Sequence, residues 1–138
     1  MALDWNERYK IGDGKIDAEH QEWFRLAKEF LTAGNVQSMY QSGEAFSRYT
    51  QNHFSHEEIF MREIQYPFTA NHAKEHEEFV STLNKILDVL GQDVLSKDEL
   101  EDFVNYCLVK HISTYDSMLA VYVKRGSSSL GQGLQRVQ

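Results

Sequence analysis

Histidines and carboxylates recur at helical spacings in four separate stretches of this chain. The seven residues are His20, the pair His53 and Glu57, the pair His72 and His76, and the pair His111 and Asp116. A spacing of four residues places two side chains on one face of a helix, one turn apart. The second and third stretches have this spacing, so the chain has to fold with ligand-like side chains presented by several helices.

Hydrophobic residues recurring every three to four positions predict four helices. The first, helix A, covers about residues 18–33, and Gly34 ends it. Helix B opens with a capping box formed by Ser38 and Gln41. It ends before Pro67, because the residue that precedes a proline avoids helical dihedral angles.

Helix C is predicted from about residue 69 to residue 90, where Gly91 ends it. A second capping box, at Ser96 and Glu99, opens helix D, and Gly126 closes that helix. Four helices joined by short loops are typical of an antiparallel up-down-up-down four-helix bundle. The predicted fold class is therefore all-α.

Both ends of the chain are predicted to lie outside the bundle. Residues 1–16 combine Trp5, Tyr9 and Ile11 with closely spaced glycines, which favours an ordered, non-helical arm. The domain is predicted to span residues 1–125, and residues 126–138, rich in Gly and Ser, form a flexible tail. This tail is either a plain terminus or the start of a linker.

Composition argues against several classes of protein. The net charge is −7, with 14 basic and 21 acidic residues and no basic stripe, which argues against nucleic acid as a partner. No apolar run approaches the roughly 20 residues that span a bilayer, and no secretory signal opens the chain. The single cysteine, Cys107, excludes an internal disulfide and suits a reducing compartment. We therefore expect a soluble, cytoplasmic protein without a membrane partner.

The seven residues lie at matched heights in the predicted bundle. Helices A and C place their histidines near their first turns, whereas helices B and D place theirs past the middle, so all seven can converge on one core layer. Burying five imidazoles and two carboxylates without partners would cost about 1–3 kcal/mol or more per group. A metal centre removes this cost.

The number and type of ligands indicate two metal ions. A structural zinc site needs four ligands, often thiolates, whereas seven nitrogen and oxygen ligands exceed one ion. Glu57 and Asp116 would then bridge the pair. Imidazole and carboxylate favour iron among the redox metals, with manganese or zinc as alternatives in vitro. Two carboxylates supply less negative charge than the four of a ferritin-like site, which favours ferrous iron and reversible two-electron chemistry.

The spacing on helix D leaves two geometries open. Five residues place Asp116 roughly 140° around an ideal helix from His111. Either the two side chains lean towards the metal pair, or a π-helical turn realigns them. We expect the leaning arrangement, because two ligands can approach a metal pair from opposite sides.

The motifs around these residues resemble those of bacterial hemerythrins. The resemblance rests on Ile-Asp-x-x-His ending at His20, H-F-x-x-E-E-x-x-M starting at His53, Y-P-x-x-x-x-H-x-x-x-H starting at Tyr66, and H-I-x-x-x-D starting at His111. It extends from about residue 5 to residue 124 and fills every ligand position of the family.

The resemblance implies two Fe ions per chain, bridged by an oxo or hydroxo group, with O2 as ligand. In the family pattern His72, His76 and His111 hold one iron, His20 and His53 hold the other, and Glu57 and Asp116 bridge. O2 would bind at the vacant position of the two-histidine iron. The apolar pocket over it would be formed by Trp5, Trp23, Phe54, Leu108 and Ile112.

Several roles remain open at this point. The chain is predicted to be an O2-binding protein, either a carrier or store or a sensor that regulates a partner, in preference to a di-iron enzyme such as a peroxidase or oxidase. His56 is expected to be a helix-edge residue, and Cys107 a small residue buried near the pocket. Glu58 and the acidic residues Glu75, Glu77 and Glu78 are expected to form solvated helix faces.

Overall fold

The computed structural model describes residues 4–92 and 94–126. It is an all-helical four-helix bundle, as the sequence predicts. The helices are α1 (Gly14–Leu31), α2 (Val36–Glu63), α3 (Thr69–Asp88) and α4 (Lys97–His111), preceded by a 3-10 turn (Glu7–Tyr9). Beyond His111, α4 continues through a π-helical turn (Ile112–Asp116) into residues 117–126. None of the described helices combines the length and apolar character that crossing a membrane requires.

The first two helices begin earlier than the hydrophobic pattern predicts. Helix α1 begins at Gly14, not near residue 18, because the Asp13 side chain accepts a hydrogen bond from the Ile16 amide and caps the first turn. Helix α2 begins at Val36, where Asn35 is the N-cap and accepts from the Ser38 amide. The capping box predicted at Ser38 is therefore wrong.

The predictions for the last two helices agree with the structure at their starts. Helix α3 begins at Thr69 and ends at Asp88, slightly short of the expected residue 90. Ser96 and Glu99 form the predicted capping box of α4, each side chain accepting from the other residue's amide. Gly126 is still helical, and residues 127–138 of the predicted tail lie outside the described residues.

The π-helical turn in α4 overturns the expectation that Asp116 leans towards the metals. In the π-helical turn over Ile112–Asp116, backbone hydrogen bonds join an amide to the carbonyl five residues before it, and not four as in an α-helix. One such bond runs from the Ser117 amide to the Ile112 carbonyl. A π turn holds an extra residue, so each residue advances by a smaller angle than in an α-helix. This realignment brings Asp116 to the side of the helix that carries His111.

Two apolar clusters enclose the layer where the seven residues lie. The larger is built around Trp23, Phe30 and Phe46, and the smaller around Met61 and Leu119. Along α1, α2 and the α4 extension, the histidines and carboxylates fall between members of the two clusters. The centre is therefore enclosed by hydrophobic packing above and below.

Close packing of the larger cluster depends on a glycine. A Cβ atom on Gly43 of α2 would lie 2.7 Å from Leu87 Cδ2 and 2.7 Å from Phe30 Cε1. A larger residue at this position would therefore force the side chains of Leu87 and Phe30 to shift within the cluster.

The N-terminal arm is tied to α1 by a buried carboxylate. Asp17 accepts hydrogen bonds from the Ile11 amide at 2.7 Å and the Gly12 amide at 3.3 Å. Further along the arm, Trp5 packs edge-on against Phe24. These contacts hold an ordered arm over the first turns of α1, close to His20.

Candidate metal centre

Seven buried side chains from all four helices meet in one layer of the core. Each has at most 2 % of its surface exposed. They form two groups, within each of which one potential ligand atom per residue lies within 4.8 Å of the others. The groups are Glu57, His72, His76 and His111, and His20, His53, Glu57 and Asp116. The structure thus brings together all seven residues that the sequence singles out.

Glu57 belongs to both groups because its two oxygens face in different directions. Oε1 lies 2.9 Å from His72 Nε2 and 3.0 Å from His76 Nε2. Oε2 lies 3.5 Å from His20 Nε2 and 3.7 Å from His53 Nε2. One carboxylate therefore serves both histidine groups.

The two oxygens of Asp116 also face different histidine groups. Its Oδ1 lies 3.1 Å from His72 Nε2 and 3.3 Å from His111 Nε2. Its Oδ2 lies 3.2 Å from His20 Nε2. Two carboxylates thus span the same pair of positions from opposite helices, α2 and α4.

Most of these close contacts are not hydrogen bonds. Among the described residues, His76 Nε2 is the one inward-facing imidazole nitrogen that hydrogen-bonds, to Glu57 Oε1. The other inward atoms lack a partner: Nε2 of His20, His53, His72 and His111, Oε2 of Glu57, and both oxygens of Asp116. Leaving so many buried polar atoms unpaired is costly. Lone pairs that converge without bonding each other fit metal ions between them.

The electrostatics of the centre favour positive charge. Burial alone would lower the pKa of His20, but the facing carboxylates Asp116 and Glu57 raise it to about 10. Burial likewise opposes protonation of His72, and the same carboxylates raise its pKa to about 9. Burial would raise the pKa of Glu57, yet the surrounding histidines hold it well below its ordinary value. Cations that enter this centre must displace protons.

Two further carboxylates hold the outer nitrogens of two histidines. His53 Nδ1 donates to Glu19 Oε1 at 2.9 Å, and His76 Nδ1 donates to Glu58 Oε2 at 2.8 Å. Such partners fix which ring nitrogen faces inward and raise its basicity. Glu58 is therefore more than the solvated helix-face residue that the sequence predicts. Sequence reasoning also missed Glu19, although a carboxylate partner is a usual feature of ligating histidines.

His56 is not part of either group. It lies at the edge of α2 with 42 % of its side chain exposed, and its Nδ1 contacts Glu19 Oε2 at 2.7 Å. Burial would raise the pKa of Glu19, but the hydrogen bonds with His53 and His56 lower it. Both oxygens of Glu19 are thus occupied by histidines of α2.

Aromatic rings pack directly against the histidines. Trp23 is fully buried, with its ring centroid 5.0 Å from that of His53, and its Nε1 donates to Thr50 Oγ1 at 2.8 Å. Phe54 stacks on His76 with centroids 3.8 Å apart. Trp5 approaches His20 at 6.4 Å from the arm. These contacts give the centre a water-poor boundary.

The other two predicted pocket residues, Leu108 and Ile112, flank His111 and are buried in the larger cluster. Cys107 lies outside both ligand groups. It is half-buried beside a small apolar cavity of about 10 Å³ that Phe79 and Val104 also line. Burial raises the pKa of its thiol to about 11, so the thiol stays protonated and is a poor metal ligand.

Comparison with known proteins places the chain in a family. Residues 12–122 match the family model described as the hemerythrin HHE cation binding domain. The chain is 30% identical over 127 residues to Bacteriohemerythrin of Stenotrophomonas maltophilia, covering 88% of this chain and 82% of that protein. It is 27% identical over 133 residues to Bacteriohemerythrin of Pseudomonas paraeruginosa, covering 93% and 86% respectively. No solved structure matches the chain significantly. The chain belongs to the hemerythrin family.

Proposed function

We propose that the chain holds two iron ions in the seven-residue centre and binds O2 reversibly there. The observation that carries this proposal is the division of Glu57 between two histidine groups, with one oxygen facing each. Asp116 repeats the arrangement from the opposite side. Two carboxylates that each span two nitrogen-rich positions suit a bridged pair of ions better than one ion.

The proposed ligand roles follow from which atoms share a group. His72, His76 and His111 hold one iron, and His20 and His53 hold the other. Glu57 and Asp116, whose oxygens face both groups, would be shared between the two ions. The group of His20 and His53 offers one histidine fewer than the other, so an ion held there would have room for an added ligand. Such a pair of ferrous ions would supply the reversible two-electron chemistry that O2 binding needs.

The apolar residues packed against both histidine groups are proposed to form a wall that keeps water and protons away from the centre as a whole. Trp23 is held by its hydrogen bond to Thr50, and Phe54 by its stacking on His76. Leu108 and Ile112 add hydrocarbon beside His111. Low polarity hinders proton delivery to bound O2, and so hinders its irreversible reduction. This wall favours a binding protein over an oxidase or peroxidase.

The test uses protein loaded with ferrous iron under anaerobic conditions. Adding O2 should produce a charge-transfer band, and removing O2 should abolish it through repeated cycles without loss of iron. Bleaching after the first cycle, or sustained consumption of peroxide, would contradict reversible binding and favour an enzyme.

A further inference from the structure

An open groove lies between α2 and α3, immediately outside the metal centre. Its volume is about 520 Å³. His76 and Phe54 contribute to its lining together with two carboxylate residues, Glu58 from α2 and Glu77 from α3. Exposed serines, such as Ser81, line it as well. His76, a residue of the buried centre, thus also lines an open groove that carries two carboxylate side chains.

A continuous series of ligand atoms leads from this groove into the centre. Glu58 Oε2 contacts His76 Nδ1 at 2.8 Å, and His76 Nε2 contacts Glu57 Oε1 at 3.0 Å. The path therefore runs from carboxylate to imidazole to bridging carboxylate. Both carboxylate oxygen and imidazole nitrogen are ordinary ligands of divalent transition-metal ions.

Glu58 is free to receive a cation, whereas the equivalent residue on the other side is not. Glu19 uses both oxygens on histidines, Oε1 on His53 and Oε2 on His56. Glu58 uses Oε2 on His76, and in the part of the chain that the structure describes its other oxygen makes no hydrogen bond or ion pair. The two outer carboxylates therefore differ in what they can still bind.

We propose that this groove is the uptake route by which a divalent cation reaches the centre, with Glu77 and Glu58 as its first ligands and His76 as the residue that passes it inward. The proposal rests on the proposed function only in requiring that the centre hold metal ions. It assigns a separate role, that of admitting the cation, to Glu58 and Glu77, which lie outside the seven, and it gives His76 a transfer role besides its place in the centre.

Two adjacent glutamates of α3 offer a matched test. Glu77 and Glu78 are both exposed and carry the same charge, but Glu77 lines this groove and Glu78 lines a different one, beside Lys110 on the α4 side. Glu77→Gln and Glu78→Gln therefore change the net charge equally. Both variants therefore reduce the general attraction between the acidic protein and cations by the same amount.

The measurement is the rate of Co²⁺ uptake by the metal-free full chain, followed by absorption of the bound ion, together with metal content at equilibrium. Glu77→Gln should slow uptake roughly three- to tenfold at low salt, since one carboxylate near the path acts on a doubly charged ion. Its final metal content should equal that of the parent. Glu78→Gln should match the parent in both respects.

A steric variant tests the same route without changing charge. Ser81→Phe places a ring in the groove and should slow uptake, whereas Thr82→Phe, which faces the α4 side, should not. Parent-like uptake rates in both Glu77→Gln and Ser81→Phe would overturn the uptake route while leaving the metal centre intact. A parent protein that took up no metal at all would instead contradict the proposed function, and the route with it.

Discussion

Asp116 Oδ1 lies 3.3 Å from His111 Nε2, although the two residues are five positions apart in one helix. In a regular α-helix that separation turns the second side chain roughly 140° away from the first. The π-helical turn over Ile112–Asp116 removes most of this rotation. The extra residue of the turn, and not the bending of side chains, allows one helix to supply both ligands.

The turn predicts the outcome of a deletion. Removing the exposed Thr114 leaves His111 and Asp116 four residues apart, which a regular α-helix places on the same face. This variant should therefore still bind metal at both positions. Deleting the exposed Tyr106, in the regular part of α4, keeps the native spacing of the two ligands but rotates the half that carries both of them by about 100° against the half that contains Leu100 and Val104, and should therefore weaken binding. Metal content after loading with Co²⁺ distinguishes the two, and a metal-free Thr114 deletion would contradict the explanation of the turn.

The fold and the seven-residue layer could be predicted because their determinants are local. Side-chain spacing on a helix follows from neighbours in sequence, and so does the capping box at Ser96. The hydrophobic pattern does not predict the early starts of α1 and α2, although Asp13 and Asn35 are ordinary N-caps. Hydrophobic periodicity marks the buried face of a helix and does not mark its first exposed turn.

The outer partners of the histidines could not be predicted in the same way. Glu19 of α1 bonds to His53 of α2, and Glu58 of α2 bonds to His76 of α3. Each bond depends on how two helices are rotated against each other, which spacing within one helix does not determine. The five-residue spacing of His111 and Asp116 is compatible with a π-helical turn, but the sequence alone does not favour it over leaning side chains.

Glu19 provides a test of these outer partners. Glu19→Ala leaves the His53 Nδ1 without its acceptor and should weaken metal retention about 10- to 100-fold. Glu19→Gln, which keeps an acceptor oxygen, should recover part of this loss. Glu22→Ala removes an exposed carboxylate of the same helix that bonds to Arg25, and serves as control. Release of Co²⁺ to a chelator measures retention, and equal release rates for Glu19→Ala and the control would show that the bond to His53 is unimportant.

Substitutions in the apolar wall and in the shared carboxylates should change different properties of the protein. Leu108→Ala removes hydrocarbon beside His111 and should destabilise the fold by about 2–5 kcal/mol while iron stays bound. Water then reaches the centre, so the O2-bound state should be lost to the oxidised form faster. Glu57→Ala removes a shared ligand and should lose iron outright. An O2-bound lifetime equal to the parent's in iron-loaded Leu108→Ala would contradict the role assigned to the wall.

The metal-free protein should become less stable as pH rises above neutrality. The pKa values of His20 and His72, about 10 and about 9, exceed the ordinary 6.5, so the folded state holds protons that the unfolded state releases. Their stabilising contribution is complete below pH 6.5 and is lost as pH rises through these values. The pKa values of Glu57 and Asp116 are lowered in the folded state, so these two carboxylates stabilise the fold at neutral pH. This stabilisation is lost as the pH falls through the acid range.

Thermal unfolding between about pH 6 and pH 10 measures this effect. The midpoint of the metal-free protein should fall by several degrees over that range, whereas metal-loaded protein, whose histidines are held neutral, should change little. Parallel curves for the two forms would show that protons do not occupy the centre when metal is absent.

The most direct test of the whole account is iron content combined with Mössbauer spectroscopy on protein expressed with ample iron and purified in air. The two groups that share Glu57 predict about two irons per chain, present as a spin-coupled, bridged diferric pair. A single zinc, or one isolated iron with no coupling, would contradict the proposal that the seven residues form a di-iron centre.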